Sequence, residues 1–129
     1  MHPDVLRRTC RGAGAPAPKT YKIYAVCDAH LDTQWNWDLT HTIREYIPRI
    51  LFQNLWMLER YPDYKFNFEG GIIYRWMKEY YPLHYARLQK YIDEGRWHIS
   101  GASWNANDPN MPSAESFIRN ILRQDYKYL

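Results

Sequence analysis

Cysteine is nearly missing from this chain: Cys10 and Cys27 are the two among 129 residues. Two thiols can build neither a disulfide framework nor a four-thiolate zinc site. Cys27 falls inside an apolar run and is expected to serve as a small buried hydrophobe. Long hydrophobic runs are missing too, so no membrane-spanning segment is expected. Residues 1–20 carry arginines but lack the apolar core of a secretory signal, which makes the cytoplasm the expected location. Charge of one sign is also scarce. Lys and Arg total 17 against 14 Asp and Glu, a net +3, and the signs are interleaved. No basic stripe exists to neutralise a phosphate backbone, so a nucleic-acid partner is not expected. Nothing in the residues speaks to oligomeric state.

Aromatic rings are what the chain has in excess: 17%, with 6 Trp and 12 Tyr. Most should be core and surface filler, yet Trp and Tyr also line sites that stack flat ligands or sugar faces. The remaining composition, 46% hydrophobic and 24% charged, is that of a globular domain with one modest core.

Residues 1–20 read as a flexible lead-in, ending in the Gly/Ala/Pro run from Gly12 to Pro18. From residue 21 to 129 the pattern alternates strand and helix, giving an α/β class with a parallel sheet and right-handed crossovers. The first strand is expected at Lys22–Asp28. A capping box at Thr42 and Glu45 then opens a helix carrying Ile43, Ile47, Ile50, Leu51, Leu55 and Leu58 at helical spacing. Pro48 should kink that helix or mark its true start. A strand follows at Tyr64–Phe68, then helices at Ile72–Tyr80 and Pro82–Glu94, with Pro82 in a first turn and Gly95 as the cap. A third strand is expected at Arg96–Ser100. Ser113 caps a last helix that is still periodic at Phe117, Ile118, Ile121 and Leu122 and shows no stop before Leu129. The chain therefore reads as the N-terminal piece of something longer.

In a parallel sheet, ligands bind outside the carboxyl ends of the strands. After the first strand come His30 and Asp32, whose side chains point the same way in extended backbone. One imidazole nitrogen and one carboxylate oxygen suit a zinc ion, though a plain hydrogen-bonded His–Asp turn fits the same letters. After the third strand comes Asp108-Pro109-Asn110. Pro109 keeps Asp108 extended, which would bring a second carboxylate to the same rim, while an ordinary turn is the other reading. Glu69 ends the second strand and could reach the crevice, though a Glu before Gly-Gly is commonly a solvated strand end. Trp35, Trp37 and Trp104 lie in loops, which favours a binding face over core. His41, His84 and His98 are read as structural or exposed.

The stretch AHLDTQWNWD resembles the His-x-Asp-x-x-Trp signature of family 38 glycoside hydrolases, the class II α-mannosidases. GRWHISGASWNANDPNMPSAES resembles that family's segment around its catalytic Asp, and the two lie in the family's order across nearly all of residues 20–124. The likeness is closer to bacterial-type members. It implies that this segment opens a seven-stranded β/α barrel-like glycoside hydrolase domain. It implies Zn²⁺ held by His30, Asp32 and Asp108, with Asp108 also the catalytic nucleophile, and Trp35 lying against the sugar. The implied substrate is a mannose-containing oligosaccharide or glycan, cleaved with retention through a glycosyl-enzyme. The family's remaining His ligand and general acid would lie downstream of residue 129, so the piece alone should bind zinc poorly and not turn over. Two other readings of the same residues are a metal-dependent polysaccharide deacetylase, with metal-activated water, and a non-catalytic glycan-binding fragment.

Overall fold

The computed structural model describes residues 20–101 and 103–123. The expected lead-in and Cys10 fall outside them. Three strands, β1 (Cys27–Asp28), β2 (Phe66–Glu69) and β3 (Trp97–Ser100), form a parallel sheet in the order β1-β2-β3. Cys27 pairs with Phe66 and Asp28 with Asn67, and β2 runs beside β3 from Phe66 and Trp97 to Glu69 and Ser100. The expected α/β alternation is present.

The helices are α1 (Leu39–His41), α2 (Ile47–Arg60), α3 (Gly71–Tyr80), α4 (Pro82–Asp93) and α5 (Ala114–Leu122). Ile47, Leu51, Leu55 and Leu58 recur every three or four residues along α2 and are all but fully buried, as one face of a 3.6-residue helix requires. They meet Ile73, Tyr74 and Met77 from α3 and Tyr85, Leu88 and Tyr91 from α4. In β2 the alternation is clean: Phe66 and Phe68 are buried, Asn67 and Glu69 only partly. Phe66 and Phe68 therefore face the helices, while Asn67 and Glu69 face away.

The aromatic surplus does much of the core's packing. Trp97 sits with its ring centroid 4.6 Å from Phe66 and 6.4 Å from Phe68. Its indole Nε1 donates to Tyr74 Oη at 2.8 Å, and Tyr74 donates onward to the Phe68 carbonyl at 2.9 Å. Two buried polar groups are thus satisfied without water. Burial, the largest cause, pushes the Tyr74 phenol well above the usual tyrosine range, opposed by the Trp97 hydrogen bond.

Four expectations need correction. The strand expected at Lys22–Asp28 shrinks to two residues, with Tyr21, Ile23, Tyr24 and Val26 67–89% exposed. β1 is an edge strand, and nothing among the described residues covers that run. For the same reason Cys27 is exposed rather than buried. Thr42 is not an N-cap but closes α1 as its C-cap. Asp38 caps α1 by accepting from His41 N, and Thr42 is fully buried at the start of a π-helical turn, Thr42–Tyr46. That wide turn hands over to α2 where Pro48 has no N–H to give, so Pro48 marks a start rather than a kink. Finally, α5 does end: Arg123 is its cap residue, and residues 124–129 are outside those described. Pro82 in the first turn of α4, Gly95 just beyond it at φ +65° and Ser113 accepting from Ser116 N stand as read.

Candidate active site at the carboxyl edge of the sheet

Parallel pairing sends the exits of all three strands to one rim. β2 leaves through Gly70 at φ +92° and β3 through Gly101 at φ +75°, backbone that side chains with a Cβ rarely adopt. Gly70 offers no side-chain cap to α3. The first amides of that helix are instead taken by the loop after β3: Gly71 N donates to Ser103 O at 3.3 Å and Ile72 N to Trp104 O at 2.9 Å. Orphan donors at a helix start are thereby met by a neighbouring strand's exit.

The loop after β3 is held from two more sides. The Asn120 side chain on α5 clasps the backbone of Asn105, accepting from its N–H at 3.0 Å and donating to its carbonyl at 2.8 Å. The Asn105 side chain then donates to Thr33 Oγ1 at 3.1 Å, across 72 residues, tying this loop to the one after β1. Thr33 O accepts from Thr42 Oγ1, which accepts in turn from Trp37 Nε1, both at 2.8 Å. Sequence reading missed Thr33, Asn105 and Asn120, single polar letters with no local pattern. Replacing Asn120 by Ala should cost about 1–3 kcal/mol, since it strands two backbone groups. In hydrogen exchange, the Asn105 amide should lose protection while the Phe66 amide, bonded to Arg96 O at 3.0 Å, keeps it; equal rates in both proteins would mean the clasp holds nothing.

The structure brings His30 and Asp32 together, with Nε2 and Oδ1 3.2 Å apart. Two ligands on one tetrahedral zinc, each about 2.0–2.1 Å from it, would sit about 3.3 Å from each other. The pair therefore fits two corners of such a site. Glu69 adds a carboxylate 3.9 Å from His30 Nδ1, so it does more at this rim than end a strand. Asp108 is exposed at the tip of its loop, and its Oδ1 accepts from Asn110 N at 2.9 Å. That is the ordinary Asx turn, and it directs the carboxylate to its own backbone. Among the described residues no group of three His, Cys, Asp or Glu side chains converges as a metal site.

Of the loop tryptophans, Trp35 is 71% exposed. Trp37 is not a binding surface: its ring lies 4.8 Å from Tyr46 and its nitrogen is used by Thr42. Trp104 is partly buried under α3 and α5. His41 and His84 pack on Tyr46 and Phe52, and His98 is exposed on β3.

A cleft of about 460 Å³ opens at this rim. His30, Glu69, Ser103 and Asn107 give it a polar wall, and Phe117 and Ile121 of α5 an apolar one. A larger hollow, about 650 Å³, lies at the opposite end of the sheet, between α2 and Tyr64 just before β2. It has no carboxylate, imidazole or thiol among its lining residues, whereas the smaller cleft is lined by His30 and Glu69.

Residues 20–126 match the profile described as the glycosyl hydrolases family 38 N-terminal domain. The chain is 34% identical over 101 residues to alpha-mannosidase G of Dictyostelium discoideum, covering 78% of this chain and 9% of that protein. It is 31% identical over 103 residues to human alpha-mannosidase 2C1, covering 80% and 10%. Against the alpha-mannosidase of Saccharomyces cerevisiae it is 30% identical over 101 residues, covering 78% and 9%. The chain thus spans about a tenth of the length of these relatives.

Proposed function

Since the chain belongs to glycosyl hydrolase family 38, within its N-terminal domain, we propose that it carries part of the active site of a zinc-assisted, retaining α-mannosidase acting on terminal mannose residues of glycans. The observation that carries the reading is the His30–Asp32 pair, spaced at 3.2 Å on the strand-exit rim. His30, Asp32 and Asp108 would hold the ion. Once bound there, zinc supplies Lewis acidity and a grip on the sugar's vicinal hydroxyls.

The chain's own residues do the rest. Asp108 attacks the anomeric carbon, forming a glycosyl ester as the glycosidic oxygen departs with a proton from the general acid, and water, giving its proton back to that group, later displaces Asp108 from the face the oxygen left. To reach the sugar its carboxylate must leave the Asn110 amide, which costs one exposed hydrogen bond. Exposed Trp35 offers an apolar face to the sugar's C–H side. The Asn105–Thr33 bond keeps the two loops that bear these groups at a fixed spacing. A general acid about 5–5.5 Å from Asp108 completes a retaining pair, and it would come from chain beyond residue 129.

Stereochemistry tests the reading. A polypeptide competent for turnover, given an aryl α-mannoside and followed by proton NMR from the first minutes, should release α-mannose before mutarotation mixes the anomers. First appearance of β-mannose would mean inversion and would remove Asp108 as nucleophile. Release of acetate from an acetylated glycan, with its glycosidic bonds intact, would favour the deacetylase instead.

A further inference from the structure

Glu69 has no part in the proposed chemistry, yet the sheet delivers it beside His30. β1 and β2 pair Asp28 with Asn67; two residues further along both chains lie His30 and Glu69. Because Phe66 and Phe68 are buried against the helices, alternation turns Glu69 to the other face of the strand, towards the cleft it lines. Gly101 flanks it from β3: a Cβ there would stand 3.7 Å from Glu69 Oε2. A Cβ at that distance is ordinary contact, so Gly101 borders the Glu69 carboxylate on one side without crowding it, and His30 borders it on the other.

The two ring nitrogens of His30 face different carboxylates. Nε2 is 3.2 Å from Asp32 Oδ1, and Nδ1 is 3.9 Å from Glu69 Oε1. An imidazole that binds a metal through one nitrogen must carry its proton on the other, and a carboxylate at that second nitrogen selects the tautomer and fixes the ring's plane. At 3.9 Å the Glu69 contact is longer than a hydrogen bond; a small side-chain rotation or one bridging water closes it. We propose that Glu69 is a positioning residue: it takes the Nδ1–H of His30 and so presents Nε2, beside Asp32, to the cation. The proposal rests on the metal reading above. His30 and Glu69 are 66% and 43% exposed, so their attraction adds little to stability. What Glu69 contributes is orientation.

Nitrogen-15 NMR of the histidine rings in this chain, without metal and at alkaline pH where imidazoles are neutral, reads the tautomer directly. Asp32 at 3.2 Å and Glu69 at 3.9 Å compete for the ring proton, and His30 should keep a measurable share of it on Nδ1. In Glu69→Ala that share should fall measurably, with Asp32 left as the acceptor at Nε2. Glu69→Gln keeps an acceptor oxygen and should stay near the parent. Zinc titration of a polypeptide competent for turnover, carrying the same substitutions, should show affinity about 10–100-fold weaker in Glu69→Ala and largely restored in Glu69→Gln, with thermal midpoints unchanged. An unaltered tautomer in Glu69→Ala overturns the proposal. So does undiminished zinc affinity in Glu69→Ala when His30→Ala abolishes binding. If His30→Ala itself leaves zinc binding intact, the metal reading of His30 fails, and the tautomer alone then judges the Glu69 contact.

Discussion

Replacing Asp108 by Asn, in a polypeptide competent for turnover, should lower kcat for α-mannoside hydrolysis by on the order of 10⁴–10⁶, the scale on which loss of a covalent nucleophile is felt. Asn keeps the size and can still accept from Asn110 N, so the turn now made by Asp108 Oδ1 survives. What goes is the charge and the nucleophilic oxygen. The loss should fall in kcat and in kcat/KM alike, because the attacking group acts in the transition state. A mannosyl fluoride bearing a second fluorine on the ring, used to slow hydrolysis of the ester, should leave its sugar mass on the peptide containing Asp108. Residual activity within tenfold of the parent, or the label on another peptide, would place the nucleophile elsewhere.

Trp97→Ala should bring the next largest effect, about 3–5 kcal/mol of lost stability, set against a total of about 5–15 kcal/mol for a domain. The ring is 1% exposed and packed on Phe66 and Phe68, so its removal opens a hole between the sheet and its helices. It also strands the Tyr74 hydroxyl as an acceptor. Urea unfolding followed by circular dichroism should show a transition shifted to low denaturant or no cooperative transition at all. Trp97→Phe keeps one ring and loses the indole donor and the second ring, so it should cost less than Trp97→Ala. A Trp97→Ala protein that unfolds cooperatively within 1 kcal/mol of the parent would mean that this indole is not the centre of the core.

How much could be read from the letters alone depends on the reach of the force involved. The apolar faces of α2, α3 and α4, the helix starts at Pro82 and Ser113 and the stop at Gly95 are set by residues close in sequence, and they stand where the pattern put them. Thr42 with Glu45 has the form of a capping box, but a carbonyl nine residues earlier, that of Thr33, claims the Thr42 hydroxyl and draws it inside. The run from Lys22 has the composition of a full strand. Strand length, however, is decided by what lies alongside, and only Cys27 and Asp28 find a partner. The site divides in the same way. His30 and Asp32, two residues apart, meet as extended backbone dictates. Glu69 reaches His30 only through the register of β1 on β2, which no single segment encodes. The expected approach of Asp108 to that pair is not made among the described residues, because its own turn competes for the carboxylate.

Gly70 and Gly101 separate two kinds of heritable change at this rim. Their left-handed backbone angles fix where the chain departs from β2 and β3, whereas the identities of Glu69 and Ser103 fix what is displayed there. A substitution at either glycine would redirect a whole loop and take Ser103 and Trp104 away from the amides of α3. Altering Glu69 or Ser103 would change the cleft's lettering and leave the loops in place. Descendants of this scaffold can therefore vary what the cleft displays at the side chains, provided those two glycines stay bare.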